Sequence, residues 1–63
     1  MRILLVEDNA VNMMVGEALL DDWGVRVTPA TGGAQALAAV ARAAAEGWMF
    51  DAVLMDVQMP GMS

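Results

Sequence analysis

Cysteine, histidine and lysine are all absent from this sequence of 63 residues. Without cysteine, the chain can form neither a disulfide nor a thiolate metal site. Without histidine, it lacks the commonest general base and the commonest zinc ligand. These absences exclude triad hydrolysis, zinc catalysis and histidine phosphotransfer by the chain's own residues.

Positive charge is also scarce, since only three basic residues face eight acidic ones and the net charge is −5. Nucleic-acid binding needs a basic patch, so we expect no nucleic-acid contact from this segment. The sequence is 59% hydrophobic, but no apolar run approaches the roughly 20 residues of a membrane span. We therefore expect no membrane contact, and the functional content must come from where the acidic residues lie.

The hydrophobic pattern predicts alternating strands and helices. Continuous apolar runs at 3–6 and 52–55 are typical of strands buried on both faces, whereas 25–28 alternates like an edge strand and is ended by Pro29. A first helix is predicted over 9–22, capped by Asp8 or Asn9 and ended by Gly24; a second follows the turn at 31–33 and is ended by Gly47. Their predicted core-facing stripes are Val11, Met14, Val15, Ala18 and Leu19, and Ala34, Leu37, Ala38, Ala41 and Ala45.

This order of elements, strand–helix–strand–helix–strand, predicts an α/β fold with parallel strands and right-handed crossovers. The first and third strands are the most apolar, so we expect them to be central, with the second at an edge. The resulting strand order 2-1-3 is that of the opening half of a flavodoxin-like doubly wound sheet. Ligands of such sheets bind in the crevice between the first and third strands.

Acidic residues directly follow both of the predicted central strands. Glu7 and Asp8 come after the first strand and Asp56 after the third, and neighbouring strand ends lie only about 4.8 Å apart. Crowded carboxylates repel and raise one another's pKa, and a hard cation such as Mg²⁺ relieves that repulsion. An aspartate in such a site can also act as a nucleophile towards a phosphoryl group. The alternative that Asp8 merely caps the following helix remains open at this point.

Other polar and aromatic residues have simpler interpretations. Asp51 precedes the third strand at its opposite end, and we expect it to be structural. Trp23 and Trp48 stand at helix ends, where packing over the ends of the sheet is favoured over partner binding. The remaining acids are expected to be solvated surface residues: Glu17, Asp21, Asp22 and Glu46.

Two segments, 3–9 (ILLVEDN) and 54–60 (LMDVQMP), resemble the two acidic motifs of response-regulator receiver domains of two-component signalling. Asn9, Asn12 and the string 55–60 are most similar to receivers attached to hybrid sensor histidine kinases, and 31–37 resembles the family's turn into its second helix. The resemblance covers essentially the whole chain in register. We therefore expect residues 1–63 to form the N-terminal half of a single receiver domain.

The resemblance implies a role for each matching residue. Asp56 matches the phosphoacceptor, Asp8 a direct Mg²⁺ ligand, and Glu7 an acid that acts on the ion through water. Gln58 matches the position whose backbone carbonyl completes the metal site. The implied partner is a histidine kinase or a histidine phosphotransfer protein, which supplies the phosphoryl group to a cytoplasmic acceptor domain that is not a conventional turnover enzyme. That domain belongs either to a stand-alone regulator or to a membrane-bound hybrid kinase.

Two departures from the family pattern keep an alternative open. The resemblance implies Asp-Gly after the loop at 59–61, where this sequence has Met62 and Ser63. It also implies a Ser or Thr after a fourth strand and a Lys after a fifth, and neither follows in this sequence. A truncated or degenerate receiver that acts only as an interaction module is therefore the alternative, and an unpaired third strand predicts self-association. Other aspartate-nucleophile families rank lower, because position 58 is Gln rather than a second acid. A dinucleotide-binding fold is disfavoured, because no Gly-x-Gly-x-x-Gly follows the first strand.

Overall fold

A computed structural model describes residues 1–55, in which strands and helices alternate. The elements are β1 (Arg2–Val6), α1 (Ala10–Asp22), β2 (Arg26–Ala30), α2 (Gly33–Ala45) and β3 (Ala52–Met55). Strand β1 pairs in parallel with both β2 and β3, which gives the order β2-β1-β3. The predicted α/β fold and its strand order are confirmed. Neither α1 nor α2, the helices in this part of the chain, is long and apolar enough to cross a membrane.

The apolar run of β1 is explained by the helices on either side of it. Successive strand residues point to opposite faces of a sheet. Leu4 and Val6, each 1% exposed, form a core cluster with Ala36 of α2. The intervening Leu5 lies against Gly16 of α1, where a Cβ atom would be 2.9 Å from Leu5 Cδ2. Both faces of β1 are therefore covered, and glycine permits the close approach of α1.

Pro29 lies inside β2, so the prediction that it ends the strand is wrong. It pairs with Leu5 in the register of β1 and β2, and the strand continues to Ala30. The N–H of Arg26 donates to the carbonyl of Met1, directly before β1, at 2.9 Å. Because N–H groups alternate in direction along a strand, the Pro29 nitrogen faces away from β1. An edge strand tolerates proline at such a position.

The predicted core stripes of both helices are also wrong. In α1 the buried residues are Met13 and Leu20, whereas the predicted stripe is exposed, with Val11 at 67%. In α2 the buried residues are Ala36 and Ala43, whereas Leu37 is 74% exposed. Apolar residues surround most of each helix, so the pattern does not define which side faces the sheet. The residues of α2 that face the core are nevertheless small, since Ala36 lies in the buried cluster with Leu4 and Val6 and Ala43 is buried too.

Both predicted helix ends are confirmed. Gly24 and Gly47 follow the C-terminal caps of α1 and α2 and have φ angles of 76° and 84°. Glycine adopts this left-handed conformation without the steric cost that a Cβ atom brings.

The two tryptophans differ in their surroundings. Trp48 packs at the amino-terminal ends of β1 and β3, with the Arg2 guanidinium 4.4 Å from its ring centroid. Trp23 is 73% exposed, so the prediction that it packs over the sheet is wrong. It is instead the C-cap residue of α1.

Candidate functional site

Glu7 is buried at the carboxyl end of β1, with 8% of its surface exposed. Its backbone N–H donates to the Ala30 carbonyl at 2.9 Å, which ties the end of β1 to the end of β2. Its Oε1 accepts the backbone N–H of Asn9 at 3.0 Å. A buried carboxylate needs such partners, because removal from water penalises its charge. The Glu7 side chain is therefore fixed beside the turn that leads into α1.

Asn9, and not Asp8, caps α1. Its Oδ1 accepts the backbone N–H groups of Val11 at 2.9 Å and Asn12 at 3.0 Å. The alternative in which Asp8 serves only as the helix cap is therefore wrong. Asp8 is exposed, and its carboxylate forms no hydrogen bond or ion pair within residues 1–55. Its oxygens are available to a ligand at this edge of the sheet.

The register of β3 on β1 places the last residues of the two strands side by side. Val6, the last residue of β1, pairs with Met55, the last residue of β3. Glu7 and Asp8 follow the first of these residues in the sequence, and Asp56 follows the second. Asp56 and Gln58 lie outside the described residues, so the metal site predicted from Asp8, Asp56, Gln58 and Glu7 stays a prediction. Within residues 1–55, no three metal-ligating side chains form a group that could hold an ion.

A groove of about 350 Å³ opens between the ends of these strands and the first turns of α1. Its lining includes Leu54 and Met55 on one side, Val6 and Glu7 in the middle, and Asn12 of α1. The walls are mainly apolar, with Glu7 and Asn12 contributing oxygen. Such a crevice at the carboxyl ends of parallel strands is the usual place for a ligand in an open α/β sheet.

The basic side chains are confined to one edge of the sheet. Arg2 begins β1, Arg26 begins β2 and Arg42 lies in the last turn of α2, so all of the chain's basic side chains lie at the amino-terminal edge. Glu7 and Asp8 lie at the opposite edge. Carboxylate oxygens such as those of Glu7 and Asp8 are hard donors of the kind that Mg²⁺ prefers.

The sequence did not settle two features of this edge. One is the choice of helix cap, since Asp8 and Asn9 were both candidates and the sequence alone did not separate them. The other is the close contact of Gly16 with Leu5, which fixes the distance of α1 from the groove. A glycine inside an otherwise helical pattern was the available signal, because such a glycine often has a packing reason.

Comparison with known proteins identifies the family. A family model described as the response regulator receiver domain matches residues 3–63. The chain is 48% identical over 61 residues to the sensor protein GacS of Pseudomonas syringae pv. syringae, covering 97% of this chain and 6% of that protein. It is 39% identical over 61 residues to the probable histidine kinase 1 of Oryza sativa subsp. indica, covering 97% and 6%.

A third relative is the sensory/regulatory protein RpfC of Xanthomonas campestris pv. campestris, 38% identical over 63 residues. That match covers 100% of this chain and 8% of the relative. The chain thus spans less than a tenth of the length of these curated relatives, and no solved structure matches it significantly. With its fold, its strand order and the family match over nearly its whole length, the chain belongs to the response regulator receiver family.

Proposed function

We propose that this chain is a phosphoacceptor module of a two-component phosphorelay, in which Asp56 takes a phosphoryl group from a partner's phosphohistidine. The observation that carries the proposal is the parallel pairing of Val6 with Met55, since Glu7 and Asp8 follow the first of these residues in the sequence and Asp56 follows the second. Membership of the receiver family supports the same assignment. The proposal is also supported by the capping role of Asn9, because Asp8 is then not needed as the cap of α1.

The proposed metal site consists of Asp8 and Asp56 as direct ligands, the Gln58 backbone carbonyl, and Glu7 acting through water. Bound Mg²⁺ neutralises the charge of the phosphoryl oxygens. A carboxylate oxygen of Asp56 forms a bond to phosphorus while the bond between phosphorus and the donor imidazole nitrogen breaks. The electron pair of that bond returns to the imidazole, which takes up a proton. The Asn9 N–H donates to Glu7 Oε1 and holds that carboxyl group at the end of β1.

The proposed partner is a histidine kinase or a histidine phosphotransfer protein, and the proposed setting is the cytoplasm. The names of the relatives support this choice of partner, since they include a sensor histidine kinase and a hybrid signal transduction histidine kinase. We propose that this receiver belongs to such a hybrid kinase. The donor phosphohistidine then lies on the same protein or on a phosphotransfer partner.

Phosphotransfer from an autophosphorylated histidine kinase tests the function directly. The full chain is mixed with kinase carrying radiolabelled phosphohistidine, with and without Mg²⁺, and the label is followed on a gel. We expect rapid transfer that requires Mg²⁺ and is lost in Asp56→Asn. Transfer that proceeds equally well in Asp56→Asn would exclude the proposed acceptor.

A titration with Mg²⁺ tests the metal site separately. Binding is followed by amide shifts of Glu7 to Asn9, and we expect it to disappear when Asp8→Ala and Asp56→Ala are combined. Asp22→Ala is the matched control, because it removes an exposed acid at the far end of α1. Unchanged binding in the Asp8 and Asp56 double variant would reject these ligands.

A second proposal concerns the 63-residue chain in isolation, which we expect to self-associate. Among residues 1–55, β3 pairs only with β1, and its outer edge carries half-exposed apolar side chains, with Val53 at 50% and Leu54 at 43%. Unpaired apolar strand edges pair with other chains. The outer edge of β3 favours an alternative function, in which the chain acts only as a protein-interaction module.

A further inference from the structure

Strand β3 does not specify its own register. Its four residues, Ala52 to Met55, are all apolar, and the last three are about half exposed. Register is strongly fixed where polar and apolar residues alternate between a solvent face and a core face. A slip of β3 along β1 would replace one apolar side chain by another on each face. Something outside the strand must therefore fix its position.

Asp51, directly before β3, is joined twice to Arg2 at the start of β1. The Asp51 backbone N–H donates to the Arg2 carbonyl at 2.8 Å, and the Arg2 backbone N–H donates to Asp51 Oδ2 at 2.7 Å. The strand ladder itself begins one residue later, at the pair Ile3 and Ala52. The Asp51 carboxylate thus contributes a bond that the backbone ladder does not supply, and it exists only in this register.

Two aromatic residues hold the same segment in place. Phe50 packs against the buried cluster that contains Leu4 and Val6. Trp48 meets Phe50 edge to face, with ring centroids 4.8 Å apart, and lies under the Arg2 guanidinium at 4.4 Å. Its indole N–H donates to Glu46 Oε1 at 3.0 Å, just beyond the end of α2. The approach to β3 is therefore fixed to β1 on one side and to α2 on the other.

We propose that Asp51 is a positioning residue for phosphotransfer, acting from the opposite edge of the sheet. By fixing β3 against Arg2, it sets Met55, the residue before the proposed acceptor Asp56, beside Val6. A slip of one residue moves the strand end by about 3.3 Å. Misplacement by about 1 Å already costs up to about a hundredfold in rate in well-oriented reactions. This inference rests on the proposed function of Asp56.

The test compares Asp51→Ala with Asp51→Asn in the full chain. The alanine variant removes the side-chain acceptor of the Arg2 N–H, whereas the asparagine variant retains an acceptor oxygen. Two quantities are measured: the nuclear Overhauser contacts between Leu4 and Val53, which report register, and the Mg²⁺-dependent phosphorylation rate per folded molecule. Gly24→Ala is the control for general destabilisation, because it disturbs the end of α1 and leaves β3 untouched.

For Asp51→Ala we expect weakened register contacts and a phosphorylation rate reduced about tenfold, with both restored in Asp51→Asn. The control variant Gly24→Ala should retain both the register contacts and the phosphorylation rate per folded molecule. Full retention of the contacts and the rate in Asp51→Ala would overturn the proposal, as would an equal loss of both in Gly24→Ala. If the wild-type chain accepts no phosphoryl group, the proposed function fails. The contacts between Leu4 and Val53 then decide whether Asp51 fixes the register. Loss of these contacts in Asp51→Ala supports that role, and their retention in Asp51→Ala rejects it.

Discussion

Asp8 and Asn9 are sequence neighbours at the start of α1, yet the structure divides their roles. Asn9 supplies both capping bonds, and the Asp8 carboxylate supplies none. We predict that Asn9→Ala lowers the free energy of unfolding by about 1 kcal/mol, because it leaves helix N–H groups without an acceptor. Asp8→Ala should leave that stability nearly unchanged. Urea unfolding of the two variants measures this difference, and an equal loss in both would contradict it.

Glu46, at the amino-terminal edge of the sheet, makes a pH-dependent contribution to the stability of the fold. The hydrogen bond from the Trp48 indole, followed by that from Arg42, holds the pKa of this carboxyl below its ordinary value of 4.5. A lowered pKa in the folded state means that the stabilisation is present above pH 4.5 and is lost as the pH falls through the folded value. The effect is small and screened by salt, because the Glu46–Arg42 pair is exposed.

We therefore predict that Glu46→Gln reduces the fall in melting temperature between about pH 5.5 and about pH 3.5 at low salt. Asp22→Asn, which changes another exposed acid, is the matched control and should reduce it less. Thermal unfolding followed by circular dichroism gives both slopes. Identical slopes in wild type and Glu46→Gln would count against the interaction.

At the residue scale, the sequence was sufficient to place Glu7 and Asp8 at a strand end, because an apolar run that stops at two acids marks that end. It was insufficient to choose between Asp8 and Asn9 as the cap, since both residue types accept the same backbone bonds. It also did not reveal the bond between Arg2 and Asp51, whose members are 49 positions apart.

Glycine has different effects on stability at the two ends of α2. Gly47 follows the helix with a φ of 84°, whereas Gly33 begins it with nothing within 4 Å of the place a Cβ would occupy. We predict that Gly47→Ala destabilises the fold by about 1 kcal/mol, because a Cβ is strained in the left-handed region. Gly33→Ala should stabilise it by up to about 1 kcal/mol through higher helix propensity.

Denaturant unfolding of these two alanine variants provides the comparison, and each variant serves as the control for the other. Stabilisation by both, or destabilisation by both, would show that the two helix ends are not distinguished in this way.

Secondary structure and strand order were predictable because they depend on local pattern, glycine positions and the apolar character of whole strands. The phase of the helices was not predictable. Apolar residues occur on most sides of α1 and alanine surrounds α2, so several faces satisfied the same spacing. In α1, the contact of Gly16 with Leu5 determines which face of the helix lies against the sheet. This contact depends on tertiary packing rather than on periodicity.

At the scale of the whole molecule, the exposed edge of β3 predicts self-association of the isolated 63-residue chain. Leu54→Lys should weaken this association, because a charge on a strand edge opposes pairing with another strand. Leu37→Lys is the matched control, since Leu37 is 74% exposed on α2 and away from that edge. Sedimentation velocity at high micromolar concentration measures the size. A wild-type chain that remains a folded monomer would contradict the expectation.

The measurement that tests the central claim most directly is the intact mass of the full chain after incubation with acetyl phosphate and Mg²⁺. We predict one added phosphoryl group, its absence in Asp56→Asn, and its retention in Asp22→Asn, which changes an exposed aspartate at the far end of α1. Undiminished labelling of Asp56→Asn would show that the acceptor is a different residue and would contradict the account.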